Sequence, residues 1–513
     1  MQGFTTNLQI TTFALQITSK IIFKTKIRYK MKKIINYIAC FLSMLIPTYT
    51  PKRVYVSKSA LSYPRTQHII RRIKKLNRKA LIIYIPTNTP PRPNLTGKAL
   101  YKFLKETIVI CERSAPYMEI FASPGRISEN LGVMGKILSH CPLQCLFCYL
   151  DVSGRGTPWN RVYVDLENFY SQAVQERLVY KVTLTLWSAI SFHLKTPLNK
   201  VPEKFKEICD HTIRREILKK SSVITSDKAA VMYLKNHLRE FFLKMGIQIT
   251  HKQTVALKKA ISGYYAQNSQ LALSINISEY SDIVGLDHIT KILEELMQLV
   301  HKDPEFRIRF RTKAANIHSL LKYDGKNQVK ITFGLNTEYV IEKYEKGAAS
   351  LEERIASINA LMQRGGYEID LAIEPIIKYK DYESDYRKLI EKIKREITVS
   401  KIGSIKVGTV RYKTRLKNYI DNTHPRSGLI TRNQQLCEPE QGDKRWRYSK
   451  EERLKIYQVI QDELKSVPSV KLGLGSENPE LWDDLGLDKG DIHSGVVYQY
   501  SEDENNNNNN SKE

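Results

Sequence analysis

From Leu271 the chain reads LALSINI (271–277), HITKILEELMQLVHK (288–302), FRIRFRTK (306–313), IHSLLKYD (317–324), VKITFGL (329–335), LEERIASINALMQRG (351–365), IDLAIEPII (369–377), DYRKLIEKIKREI (385–397) and IKVGTV (405–410). Every second piece is short and strand-like. The pieces between them place apolar residues three and four apart and predict helices, one of them stopped by Gly365-Gly366. Repeated strand–helix units at this spacing predict an α/β fold built on a parallel sheet or an α/β barrel.

Working outward, residues 187–270 change character. EKFKEICDHTIRREILKK (203–220) and DKAAVMYLKNHLREFFLKMG (227–246) are basic and helix-spaced, which predicts a helical insert. Towards the start, Val54–Val56 and Thr107–Cys111 predict strands, Gln67–Lys79 a basic helix, Pro86–Asn94 a proline-rich loop, and Arg161–Asp165 another strand. Residues 20–33 are basic and residues 34–47 mostly apolar, a run shorter than the roughly 20 residues a membrane span needs. Two readings fit it, a leader segment or a start codon called too early, with initiation at Met31 or Met44. From Ser501 the chain is acidic and then polyasparagine, which predicts disorder. The expected organisation is a leader or early start (1–47), a basic N-terminal region (48–130), the start of the barrel (131–186), the insert (187–270), the rest of the barrel (271–420), a C-terminal extension (421–500) and a tail (501–513).

The length of 513 residues allows about two to four domains. An apolar fraction of 42% excludes a globally disordered chain, and seven cysteines exclude a disulfide scaffold. The formal charge of +28 is uneven. Residues 1–140 hold 24 Lys and Arg against 4 Asp and Glu, residues 141–270 hold 19 against 10, and the remainder is nearly neutral at 38 against 39. A surplus of this size extending through foldable sequence points to a polyphosphate partner, bound by counterion release. A solvated basic surface is the alternative. The cluster RRIKKLNRK (71–79), with Tyr84 or Tyr101 for base stacking, is a candidate grip, and Trp446 and Tyr448 in KRWRY are a second.

The sharpest local signal is CPLQCLFC (141–148), which spaces Cys141, Cys145 and Cys148 as C-x3-C-x2-C. Three thiolates on one compact loop suit three irons of a [4Fe–4S] cube and leave the fourth iron open to a ligand. A structural zinc site usually needs four ligands. His140 would be the fourth here, but the chain has no distant C-x2-C pair to complement the loop.

With its continuation into Tyr149 and Leu150, this loop resembles the radical S-adenosylmethionine superfamily, and within it the spore photoproduct lyases. RVYVDLENFYSQA (161–173), SDIVGLDHIT (281–290), FRTKAANIHSLL (310–321), ITFGLNTEYVIEKYEKGAASLEERI (331–355) and AIEPIIKYKDYESDYRKLI (372–390) are similar to successive units of that family. TPKRVYVSKSALSYP (50–64) resembles the family's own N-terminus, and DKRWRYSKEERLKIYQVI (443–460) its divergent, lyase-like branch. The resemblance covers residues 50–186 and 271–420 and leaves the insert unexplained.

The resemblance implies a partial (β/α) barrel, a [4Fe–4S] cluster on Cys141, Cys145 and Cys148, and S-adenosylmethionine on the open iron. Reductive cleavage of that cofactor to a 5′-deoxyadenosyl radical follows, with an electron from an external one-electron reductant. It implies Lys313 as partner of the cofactor's carboxylate. Asn336 and Asp282 are cofactor-binding candidates, with a turn and a helix cap as their alternative uses. Tyr149 and Glu279 are the catalytic candidates. Glu279 marks a departure, because the lyases carry at that position a cysteine that returns hydrogen to the product radical, and a carboxylate has no weak X–H bond to give. Phe147 is a second departure, standing where the family has a tyrosine. The expected function is a radical enzyme acting on nucleic acid, DNA before RNA, in lesion repair or a related modification. The alternatives are an iron–sulfur nucleic-acid-binding protein without lyase activity, or a radical enzyme with a tRNA or protein substrate. A cytoplasmic, reducing location without stable membrane association is expected, and the oligomeric state is left open.

Overall fold

The computed structural model describes residues 49–121, 132–153, 157–194, 203–220, 223–267, 273–277, 279–430, 434–437, 445–467, 469–475, 477 and 479–487. The expected leader (1–47) and tail (501–513) lie outside them.

Seven strands lie side by side in the order in which the chain makes them: Gly132–Gly135, Ser274–Asn276, Arg307–Thr312, Val329–Leu335, Tyr367–Ile376, Ile402–Thr409 and Lys471–Leu474. Every pairing among them is parallel, and Met118–Phe121 adds an antiparallel edge. Parallel neighbours need crossovers, and the helices Ile283–Thr290, Ile292–Lys302, Leu351–Arg364 and Tyr382–Glu396 supply them. Sequential order is that of a barrel segment. A doubly wound sheet reverses its strand order at a switch point, and this one does not.

The helix expected over 288–302 differs in detail. It is two helices, broken at Lys291, whose φ of 58° lies in the left-handed region. The cause is polar. Asp282 caps the first helix through Gly285 N, and Asp287 Oδ1 captures Leu293 N at 2.8 Å, so each helix has its own start.

The period-two alternation of the strands separates two faces. In Arg307–Thr312 the residues Ile308, Phe310 and Thr312 are buried, while the three arginines between them face the other way. Pairing carries that second face across the sheet. Arg309 lies opposite Asn276 and Lys330, Arg311 opposite Thr332, Thr332 opposite Asp370, and Ala372 opposite Lys406. A face lined with Arg309, Arg311, Lys330, Asp370, Glu374 and Lys406 is too polar to be a second core and has the character of a binding surface.

A smaller sheet precedes the barrel, in the order Leu81–Ile85, Arg53–Ser57, Thr107–Cys111, Asn160–Tyr163, Leu138–Ser139. The first four are parallel and the last antiparallel. The chain therefore leaves the large sheet at Gly135, pairs into the small one at Leu138–Ser139, makes the cysteine loop, and returns to the small sheet at Asn160. The loop sits at the junction of the two.

The long helix Leu166–Leu194 then leads into Glu203–Lys219, Asp227–Asn236, Leu238–Lys244 and His251–Gln267. These helices close over their own apolar core, which includes Val182, Leu186, Ile213, Leu234, Phe241 and Ile261. Arg177 ties them to the barrel, with contacts to Asp227 at 3.2 Å, Asp303 at 2.7 Å and Glu305 at 3.1 Å. Among the described residues no helix is long and apolar enough to cross a membrane.

Candidate active site

The cysteine loop is pinned from both sides. His140, with φ 61°, makes the turn out of Leu138–Ser139. Gln144–Cys145 then pairs antiparallel with Glu345–Lys346 from the barrel, and Leu146 N donates to Tyr344 O at 2.9 Å. Cys148 N donates to Cys145 O at 3.1 Å and Asp151 N to Cys148 O at 3.3 Å, which winds Tyr149–Val152 into a single turn. Cys141 and Cys145 are buried and Cys148 half-buried, packed with Leu143, Phe147, Leu150, Tyr280 and Ala348. The structure thus brings together the three thiols picked out by their spacing.

Burial dominates the thiol chemistry. It pushes Cys141 well above the usual thiol range, Cys145 to about 12 and Cys148 to about 11, while Lys105 acts in the opposite sense on Cys141, and Lys313 on Cys145. Thiols so placed lose their protons only to a strongly cationic partner, as metal binding provides. Among the described residues no three His, Cys, Asp or Glu close around a single ion. A cube makes a different demand, because each thiolate takes its own iron and the sulfurs stand apart. His140 Nδ1 lies 3.0 Å from Ser139 Oγ, and burial lowers its pKa to about 4. The residues fit a three-point cluster better than a four-ligand zinc site.

Lys313 reaches the loop from the end of the strand Arg307–Thr312. Its Nζ donates to Glu345 Oε1 at 2.5 Å and to Glu374 O at 3.1 Å, and lies 4.6 Å from the centre of the Phe147 ring. The side chain runs flat over Gly334, where a Cβ would come within 2.9 Å of Lys313 Cε. A larger residue there would push the Lys313 side chain off its present path. Glu345 is fully buried and shared with Arg354, equally buried, at 2.7 Å. Arg354 also donates to Ala349 O and Gly334 O. The Glu345–Arg354 support was missed in the sequence, and no spacing rule would have found it.

Asp282 spends its oxygens inside the protein, on Gly285 N at 2.9 Å, Thr312 Oγ1 at 2.9 and 3.1 Å, and Lys313 N at 2.8 Å. Asn336 is likewise internal. Its Nδ2 donates to Pro375 O, and its Oδ1 accepts from Tyr386 Oη and Thr337 N. Glu279 is placed differently. Tyr149 Oη donates to its Oε1 at 2.8 Å and to its carbonyl at 2.7 Å, which ties the turn after the third cysteine to the end of the strand Ser274–Asn276. The Tyr149 ring is 50% exposed, so the pair borders open space.

On the polar sheet face Glu374 is a further charged group that the sequence did not single out. Burial opposes its ionisation, but Lys406, Arg311 and Arg411 outweigh it and hold its pKa at about 2. Its carboxylate lies against Gly408 and Gly475, where a Cβ would collide with Oε1. Of the aromatic candidates, Tyr84 is exposed. Tyr101 is buried edge-on to His424, which leaves no face for a base. Tyr448 is fully buried and its hydroxyl accepts from Lys378 N. Trp446 is half-buried and donates to Thr414 Oγ1 at 3.1 Å.

Residues 256–472 match the family model described as spore photoproduct lyase. A spore photoproduct lyase from a Geobacillus species is 20% identical over 383 residues, 74% of this chain and 84% of that one. The Bacillus subtilis enzyme is 27% identical over 151 residues, 29% of this chain and 44% of that one. Among solved structures, spore photoproduct lyase complexed with dinucleoside spore photoproduct superposes with a TM-score of 0.57 at 18% identity, covering 83% of this chain and 98% of that one. A mutant of that enzyme with bound AdoMet and dinucleoside spore photoproduct superposes equally well. The fold has the partial-barrel architecture of these lyase structures, with the three-cysteine loop packed against it. In sequence the chain is similar to the spore photoproduct lyases, over residues 256–472 for the family model and over 383 residues for the Geobacillus enzyme.

Proposed function

We propose that this protein is a radical S-adenosylmethionine enzyme acting on DNA, at a lesion or a modified base. The observation that carries the reading is the convergence of three loop thiols, two buried and one half-buried, with the Lys313 ammonium and the Tyr149–Glu279 pair at one end of a polar parallel sheet. Bound there, the cluster and cofactor supply one-electron cleavage of S-adenosylmethionine and hydrogen abstraction. The chain's own residues have separate tasks. Cys141, Cys145 and Cys148 hold three irons. Glu345 aims Lys313 at the loop, where the ammonium meets the cofactor's carboxylate. Asp282 and Asn336 act as positioning residues, since Asp282 fixes the Lys313 backbone and Asn336 the turn after Leu335. Glu279 orients the Tyr149 phenol and presents its second oxygen to the cofactor's ammonium.

The test of this reading is anaerobic turnover with a reductant, comparing thymine-photoproduct DNA with undamaged DNA. Release of 5′-deoxyadenosine is expected, and its absence from the iron-loaded protein would favour a binding protein without lyase activity. A Glu279→Cys variant restores an S–H bond where the lyases have one. If a thymine photoproduct is the substrate, clean repair per S-adenosylmethionine consumed should rise. If both forms make 5′-deoxyadenosine and neither turns over the photoproduct, the substrate lies elsewhere. If the variant loses cofactor cleavage, Glu279 belongs to the S-adenosylmethionine site.

For DNA binding, the helix Pro64–Leu76 and the turn after it offer a basic face. Arg72 and Lys74 are engaged by backbone carbonyls, Arg72 with Ile289 O and Lys74 with Arg78 O and Ala80 O. Arg71, Lys75, Arg78 and Lys79 are exposed and have no ion-pair partner among the described residues. Replacing these four with Gln should weaken duplex binding and flatten its salt dependence, by about 0.9 in log–log slope for each phosphate no longer neutralised. An unchanged slope would assign these charges to solvent.

A further inference from the structure

Lys105 does not belong to the barrel. It ends the helix Gly97–Lys105 in the N-terminal region, just before the strand Thr107–Cys111. Its side chain crosses to the cysteine loop and is 5% exposed. There Nζ donates to the carbonyl of Cys141 at 2.9 Å and to Asp151 Oδ1 at 2.6 Å. Asp151 is equally buried and lies three residues beyond Cys148. One ammonium therefore links the first cysteine to the turn that follows the last. The faces around the pair are aromatic, with the Tyr101 ring centre 5.6 Å from Nζ and His424 packed edge-on against Tyr101. Little water reaches it, so its charges are weakly screened.

A buried ion pair is a poor device for stability alone, because desolvating both charges offsets most of their attraction. Its retention beside three thiols calls for another account. Net charge and hydrogen bonding around an iron–sulfur cluster set its reduction potential, and outer residues orient the ligands. Both Cys141 and Cys148 lie within reach of the Lys105 charge. We propose that Lys105 and Asp151 are positioning residues of the cluster site, a buried pair from the N-terminal region that fixes the loop and sets the cluster's reduction potential. The ammonium favours the reduced, more negative cluster, and the carboxylate moderates that effect. This rests on the cluster reading above, but not on the identity of the substrate.

The experiment is a redox titration of the reconstituted full-length protein, followed by the electron paramagnetic resonance signal of the reduced cluster, with iron content measured alongside. Lys105→Met removes the cation and should shift the potential to more negative values. Asp151→Asn is nearly isosteric, leaves the ammonium uncompensated, and should shift it to more positive values. Lys105→Arg keeps the charge and should lie closer to the native potential than Lys105→Met does. Shifts of opposite sign are the result a merely structural pair cannot give, since structural damage has no reason to follow the sign of the charge removed. Unmoved potentials, or shifts of the same sign for Lys105→Met and Asp151→Asn, would overturn the proposal. If Lys105→Met fails to hold iron, Asp151→Asn decides alone, a rise supporting the proposal and no change or a fall overturning it. A native protein that never takes up iron would defeat the cluster reading itself, a different failure.

Discussion

Replacing Cys141, Cys145 and Cys148 together with Ala should abolish iron binding and all S-adenosylmethionine cleavage while leaving the fold in place. The native protein, purified without oxygen, should be brown and carry about four irons on its three loop thiolates. The loop does not depend on the sulfurs for its shape. Its anchors are the backbone pairing of Gln144–Cys145 with Glu345–Lys346, the bond from Leu146 N to Tyr344 O, and Lys105 on the Cys141 carbonyl. None of these is touched by the substitutions, so circular dichroism should be close to native. Full iron retention in the triple variant would sink the radical assignment. Loss of iron together with loss of fold would instead show that the cluster is part of the folding energy, as structural metals are in small domains.

How much of this was legible in the sequence depends on how far apart the interacting residues lie. The strands that were legible are local apolar runs such as VKITFGL and IKVGTV, whereas Gly132–Gly135 and Lys471–Leu474, with few β-branched residues, were not read. The cysteines were legible because three of the seven fall within eight positions. Lys313 was singled out by resemblance, as the residue ending FRIRFRTK, and its side chain does reach the cysteine loop at Phe147. What could not be read was where polar atoms are spent. Asp282 was a cofactor-binding candidate with a helix cap as its alternative use; it does cap Ile283–Thr290 through Gly285 N, but its bonds to Thr312 and Lys313, some 30 residues on, carried no signal in the sequence. Asn336 bonds to Pro375 and Tyr386, 39 and 50 positions away. Glu279 was picked out as a departure, but its link to Tyr149 spans 130 residues. The break at Lys291 was missed because a lysine carries no signal for positive φ, and the cause lies in the Asp287 side chain bonding Leu293 N. Long-range pairing, not residue type, decides these cases.

The largest stability effect should come from Glu345. Glu345→Gln removes the carboxylate that two cations share, and one of them, Arg354, has no exposed surface at all. Breaking a buried pair by removing one partner typically costs about 3–5 kcal/mol, because the remaining charge is left uncompensated. Lys313 is 20% exposed and can turn towards water, so the cost falls mainly on Arg354. A matching shift of the barrel's unfolding midpoint in urea is expected. The double variant Glu345→Gln, Arg354→Met should recover part of the loss, since it removes the stranded charge as well. A double variant that is worse than the single would mean that Arg354 contributes chiefly through its bonds to Ala349 O and Gly334 O. The pH dependence gives an independent check. Burial raises the Glu345 carboxyl, but Lys313 and Arg354 together outweigh it, and its pKa lies below the ordinary value. A carboxylate depressed on folding contributes stability that is present above its unfolded pKa, about 4.3, and is lost as pH falls through the folded value. The acid limb of the native stability curve should therefore be steeper than that of Glu345→Gln. The same substitution releases the Lys313 ammonium from the loop beside Cys145. Affinity for S-adenosylmethionine should then fall even under conditions where the barrel stays folded, and an unchanged affinity would remove Lys313 from the cofactor site.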